Sequence, residues 1–84
     1  MSELTSMEWD KTVWVALRAS VTPMPLFVRK KALLKIIEAS ESNARQRTAS
    51  KVEANDLIRA VHDKVPQSVR ALCLESLAEH GIEE

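Results

Sequence analysis

Tyrosine is absent from this chain, and phenylalanine and glycine each occur once in 84 residues. That scarcity points away from a turn-rich β fold, which needs strand-favouring aromatics and glycine at its reversals. Cysteine is also single, at Cys73. One thiol excludes an intrachain disulfide framework and fits a reducing compartment. Neither sign of charge is in excess, since twelve Lys and Arg balance twelve Asp and Glu. Zero net charge argues against binding nucleic acids or polyanions in general, which rests on surplus positive charge. No apolar run approaches the ~20 residues needed to cross a bilayer, and no basic-then-apolar leader opens the chain. The expectation is a cytoplasmic protein with no membrane partner.

What is present is a 45% hydrophobic chain, too apolar to be disordered and short enough for one domain over residues 1–84. A domain of this size buries somewhat above ~60% of the surface of its unfolded chain, so modest stability is expected. Helical spacing dominates. Residues 1–6 read as a frayed, polar N-terminus. Asp10 caps a first helix to Ser20, with Trp9 and Trp14 as a hydrophobic staple and Val13, Leu17 and Val21 on the same side. Thr5 with Glu8 is a rival capping box. Prolines 23 and 25 break the chain before a second helix, from Pro25 to Asn43 or Arg45. Its apolar face holds Val28, Ala32, Leu33, Ile36, Ile37, Ala39 and Ala44, with Lys30, Lys31, Lys35, Glu38, Glu41 and Ser42 opposite. Ser50 and Glu53 read as a capping box for a third helix to about Asp63, burying Ala54, Leu57, Ile58 and Val61. Pro66 opens a fourth helix, which buries Val69, Leu72, Cys73 and Leu77 and stops at Gly81. The class is all-α, a small bundle of four short-to-medium helices around one core.

Pro25-x-x-Val28-Arg29 returns as Pro66-x-x-Val69-Arg70. Proline at a helix start is common enough for coincidence, the alternative being a duplicated helical hairpin.

No catalytic or metal constellation stands out. Cys73 and His80 share a helix face and His62 lies elsewhere. Zinc wants three or four ligands and an iron–sulfur cluster generally four cysteines, so a buried thiol beside an ordinary histidine is the better reading. Arg29 sits on an apolar face near a helix N-terminus, where the dipole disfavours a cation. It needs a partner: a structural ion pair with Glu53 or, in particular, Asp56, or a carboxylate or carbonyl on another subunit. Phe27 and Leu34 point to the lysine-bearing side. They pack on the first helix, or with Lys30 and Lys31 they form an apolar patch with a basic rim, a form typical of partner surfaces. Trp9 is a core staple with an exposed face available as a contact. Lys30, Lys31 and Lys35, and Arg45, Arg47 and Lys51, form two basic clusters, each offset by acids in the same helices.

The Trp9-Asp10 helix start, Met24-Pro25-Leu26-Phe27-Val28-Arg29, Glu38-Ala39 and Ser50-Lys51-Val52-Glu53 with Ala60 together resemble the small C-terminal domain of the B subunit of light-independent protochlorophyllide reductase. The resemblance spans residues 9–61; the helix over 64–84 lies outside it. That enzyme is a nitrogenase-like complex that reduces a ring double bond of protochlorophyllide during chlorophyll synthesis in the dark. Its iron–sulfur cluster and main catalytic residues belong to the large domains, and the small domain helps close over the pigment. The resemblance therefore implies packing or closure roles for Trp9, Phe27 and Arg29, and a nitrogenase-like or iron–sulfur subunit as partner. No cofactor is expected in this chain, because any cluster would belong to that partner. A second resemblance is to the histone fold. Arg47-Thr48 followed by Val52-x-x-x-Asp56-Leu57 is similar to the loop and third-helix start where that fold pairs arginine with aspartate, and it implies a dimeric DNA binder. The expectation is a non-catalytic interaction module, without reductase activity on its own, whose working surface is Phe27, Lys30, Lys31 and Leu34.

Overall fold

The computed structural model describes residues 5–82. In order they form β1 (Glu8–Trp9), α1 (Lys11–Ser20), α2 (Leu26–Gln46), β2 (Lys51–Val52), α3 (Ala54–Lys64) and α4 (Gln67–Glu79). The protein is an all-α bundle of four helices among the described residues, as the helical spacing predicts. The one addition is a parallel bridge, with Glu8 opposite Lys51 and Trp9 opposite Val52. It is extended by the Asp10 amide, which donates to the Val52 carbonyl at 3.1 Å. Two residues per strand are too few to leave a period in the sequence.

The bridge corrects two local expectations. Of the fraying expected over residues 1–6, residues 1–4 lie outside the described range, but Ser6 is held by Glu41 through both its amide and its hydroxyl. Helix α3 also begins later than expected. Lys51 and Val52 are committed to the strand, so Glu53, with extended backbone, is the cap in place of Ser50. The reciprocal partner is Asp56, whose Oδ2 accepts the Glu53 amide at 2.9 Å.

The other helix ends follow local chemistry. Asp10 Oδ1 accepts the amides of Thr12 and Val13 at 3.0 and 3.3 Å, satisfying two of the first-turn donors of α1. Trp9 and Trp14 meet edge-to-face at 5.3 Å, the staple expected from their spacing. Pro25 and Pro66 cap α2 and α4 with nearly the same backbone, φ −56° and ψ 148° against φ −57° and ψ 146°. Helix α4 ends in a Schellman motif. Gly81 has φ +84°, its amide bonds the Ala78 carbonyl, and the Ile82 amide reaches back to Leu77. Ile82 and Leu77 are both buried. Helix α2 ends in the same way, with Thr48 in the glycine position at φ +52°.

One apolar cluster takes residues from every element, including Trp9, Leu17, Ile36, Val52, Leu57 and Leu77. Helix α3 packs chiefly along α2, and α1 against α4. The buried face of α2 is Leu33, Ile36, Ile37, Ser40, Glu41, Asn43 and Ala44. It differs from the expected face at both ends. Val28 is 38% exposed, because only the later turns of α2 are covered, and Glu41 is inside. In α4 the expected core residue Leu72 is 59% exposed. No helix is long and apolar enough to cross a membrane among the described residues.

Candidate interaction surface around the opening of α2

Arg29 is not ion-paired with Asp56 or Glu53. Its guanidinium donates to the carbonyls of Thr22 and Met24 at 2.7 and 3.0 Å. Those carbonyls lie in the turn that proline breaks, where no helix amide is in place to bond them. Arg70 makes the equivalent bond at the start of α4, to the Val65 carbonyl just before Pro66. The repeated Pro-x-x-Val-Arg is therefore a repeated local device. Proline sets the helix start, and the arginine four residues on ties that start to the incoming chain. The dipole that makes a cation unwelcome is offset by charge-assisted bonds to carbonyls.

Asp56 is taken by Arg47. The guanidinium makes a bidentate pair with it, Nε to Oδ1 at 2.9 Å and NH2 to Oδ2 at 2.6 Å, and also approaches Glu53 Oε2 at 3.5 Å. Burial alone would raise the Asp56 pKa, but the bonds from Arg47 and the Glu53 amide outweigh it and hold the carboxyl below its ordinary value. The same bond pushes Arg47 above the ordinary arginine value. Arg47 leaves the end of α2 and Asp56 stands in the first turn of α3, so the pair pins the corner between them. Asn43 adds to it from within α2, donating to the Asp56 carbonyl at 3.1 Å.

Trp9 proves to be core. It is 8% exposed, and its indole Nε1 donates to Glu41 Oε2 at 2.9 Å. Glu41 is the functional-looking residue that periodicity misses. Burial would raise its pKa, but donation from Trp9 and Ser6 prevails and holds it lowered. Arg45, one turn on, hydrogen-bonds the Ser6 hydroxyl and stands 3.9 Å from Glu41. The one available sequence signal was that a buried tryptophan needs an acceptor for its N–H. This network fastens β1 to α2. Its bonds are satisfied within the chain.

Cys73 is buried, with Sγ 3.8 Å from the Ser20 carbonyl, and burial pushes its thiol pKa up. A raised pKa makes it a poor thiolate nucleophile or metal ligand. His80 Nδ1 instead lies 3.0 Å from the Ser76 carbonyl on the exposed side of the helix end. Among the described residues no three His, Cys, Asp or Glu side chains gather as metal ligands.

The surface that remains unexplained by packing surrounds the start of α2. Leu26 is 76% exposed, Phe27 85% and Leu34 40%, with Lys30 and Lys31 exposed beside them. The alternative of packing against α1 does not hold for Phe27. A separate cleft of about 300 Å³ lies on the other side of the α2 opening, between it and α4. Val28, Ala32 and Ile36 form one wall, and Val65, Val69 and Leu72 the other. Comparison with known proteins found no family model, no curated protein and no solved structure that matches this chain.

Proposed function

We propose that the chain is a non-catalytic, cytoplasmic interaction module. It is related to the C-terminal domain of the light-independent protochlorophyllide reductase B subunit and docks on a nitrogenase-like or iron–sulfur enzyme subunit. The observation that carries the interaction reading is Phe27, the single phenylalanine of the chain, left 85% exposed beside an exposed Leu26. Covering a large apolar side chain is worth about 1.5–3 kcal/mol, and nothing in the bundle claims that gain for Phe27. Leu34 continues the apolar area about two turns along, and Lys30 and Lys31 give it a charged edge. The family assignment rests on the Pro-Leu-Phe-Val-Arg segment and its neighbours. In this reading the cluster and the pigment chemistry belong to the partner, and Phe27 belongs to the contact.

The test is co-purification of the tagged chain from a cell that carries nitrogenase-like subunits, with wild type and Phe27→Glu in parallel. The expected result is a stoichiometric nitrogenase-like or iron–sulfur subunit with wild type and its loss with the variant, at unchanged helicity. Absence of such a subunit from the wild-type sample, or its retention by Phe27→Glu, overturns the reading.

A second reading, a histone-like dimeric DNA binder, is favoured by one observation: the bidentate Arg47–Asp56 pair with Thr48 between α2 and α3. It requires a dimer in solution and a gel shift that weakens steeply with salt. A monomer that shifts no DNA at low salt removes it.

A further inference from the structure

Zero net charge conceals a sharp separation along the chain. From Lys11 to Ile37 there are six cations, Lys11, Arg18, Arg29, Lys30, Lys31 and Lys35, and no acid; all twelve acids lie outside this stretch. The α2 wall of the apolar cleft is built from the end of that block. Lys64 joins from the α4 side as a lining residue, and Arg70 stands in the first turns of α4. Neither α2 nor α4 carries an acidic residue in its first turn, so both helix starts present their positive ends uncompensated. The cleft itself is apolar. Its two buried polar groups are already committed, the Ser20 hydroxyl to the Leu17 carbonyl and the Cys73 thiol to the Ser20 carbonyl. It therefore lacks the placed polar side chains that orient a small ligand. Its α2 wall repeats every four residues, Val28, Ala32 and Ile36, and so spans about 12 Å of helix. That is the ridge spacing against which a second helix packs.

We propose that this cleft receives an acidic amphipathic helix from a partner protein. Its apolar side chains enter between Val28 and Leu72, and its carboxylates face Lys64, which lines the cleft, Arg70 at the start of α4, and the exposed Lys35, about two turns on from Val28 along α2. Leu72, 59% exposed, and Val28, 38% exposed, are the two lips of the cleft and are covered on docking. Helix-in-groove recognition of this kind places anchors at i, i+3 or i+4, and i+7, with opposite charge around the rim supplying orientation and on-rate. The proposal rests on the reading of the chain as an interaction module but uses the opposite side of α2 from Phe27, so the two surfaces fail separately.

The probe is a pair of synthetic helical peptides of roughly fifteen residues. They share one leucine face at i, i+3, i+4 and i+7, one carrying glutamate and the other lysine at the remaining positions. Binding to the full chain is read by fluorescence anisotropy across salt concentration, for wild type, Leu72→Glu, Lys64→Glu and Phe27→Glu. The glutamate peptide is expected to bind saturably one-to-one and to weaken with salt, with the lysine peptide at least about tenfold weaker. Leu72→Glu is expected to lose at least about tenfold, in line with a central anchor. Lys64→Glu weakens binding less and flattens its salt dependence, while Phe27→Glu leaves it unchanged. Equal binding of both peptides, or binding of neither, overturns the proposal. So does loss through Phe27→Glu in place of Leu72→Glu. Sedimentation with phosphatidylserine vesicles without peptide binding replaces the helix by a lipid surface. A dimer abolished by Leu72→Glu, with no peptide bound, replaces it by a second copy. If neither peptide binds while Phe27→Glu still strips the native partner, this inference falls and the module stands.

Discussion

Thr48 and Gly81 occupy the same position of the same helix-ending motif, with φ of +52° and +84°, yet one is β-branched and the other is glycine. A β-branched residue in the left-handed region is crowded by its own Cβ, at a cost of roughly 1–2 kcal/mol. Glycine avoids that crowding but gives up roughly 0.5–1 kcal/mol through the freedom of its unfolded chain. Thr48→Gly is therefore expected to stabilise the protein by about 0.5–1 kcal/mol, and Gly81→Ala to destabilise it by about 1 kcal/mol. No atom lies within 4 Å of a Cβ built on Gly81, so the second cost is conformational and not steric. Urea midpoints at constant slope would measure both. A loss of stability in Thr48→Gly would mean that the threonine, whose hydroxyl donates to the Arg47 carbonyl at 2.6 Å, holds the corner in a way its backbone strain does not reveal.

At the scale of elements, the tie between β1 and α2 makes the clearest demand. Glu41 accepts from the Trp9 indole and from the Ser6 amide and hydroxyl, so Glu41→Ala removes a charge-assisted acceptor and strands a buried N–H. A cost of about 2–3 kcal/mol is expected. Hydrogen exchange would place the damage. The Asp10 amide, bonded to Val52, should lose protection far more than the amides within α3, and uniform loss would show that β1 is no separate unit. This tie also marks the limit of what the residues disclose. Asp10, Pro25, Pro66 and Gly81 were legible because a cap is decided within about four residues. Ser50 misled because a strand bond from Glu8, over forty positions away, decides where α3 can begin. Asp56 could be assigned to Arg29 as readily as to Arg47, since side-chain pairing follows distance in the fold, and helical spacing does not supply it. The exposed Phe27, Lys30, Lys31 and Leu34 follow from the turn of one helix. The cleft needs two helices, so the spacing within either one does not disclose it, although the two valines of the Pro-x-x-Val-Arg repeat line its opposite walls.

The whole molecule joins these local ties into a pH profile. Glu41 and Asp56 both have pKa values lowered by folding, so in each the folded state favours the charged form. Above the unfolded values of about 4.3 and 3.9 neither state holds the proton, and the full stabilisation is present. As pH falls below them the unfolded chain takes up protons before the folded one, and stability declines until the folded carboxyls titrate. Cys73 is shifted the other way by burial. Its contribution is complete below the unfolded thiol value of about 8.5, and it is lost as pH rises from there, because the unfolded thiol ionises first. Thermal melts should thus show a plateau from about pH 5 to 8 with a falling arm on each side. Each arm can steepen by at most about 1.4 kcal/mol per pH unit for every group that differs in protonation. Glu41→Gln and Asp56→Asn should each lower the plateau and shrink the acid arm, because both remove the titrating group together with its bonds. Cys73→Ala should flatten the alkaline arm alone. An acid arm of undiminished size in the Glu41→Gln, Asp56→Asn double variant would mean that other carboxylates carry the acid sensitivity, and that loss of the two buried ties is not what opens the bundle in acid.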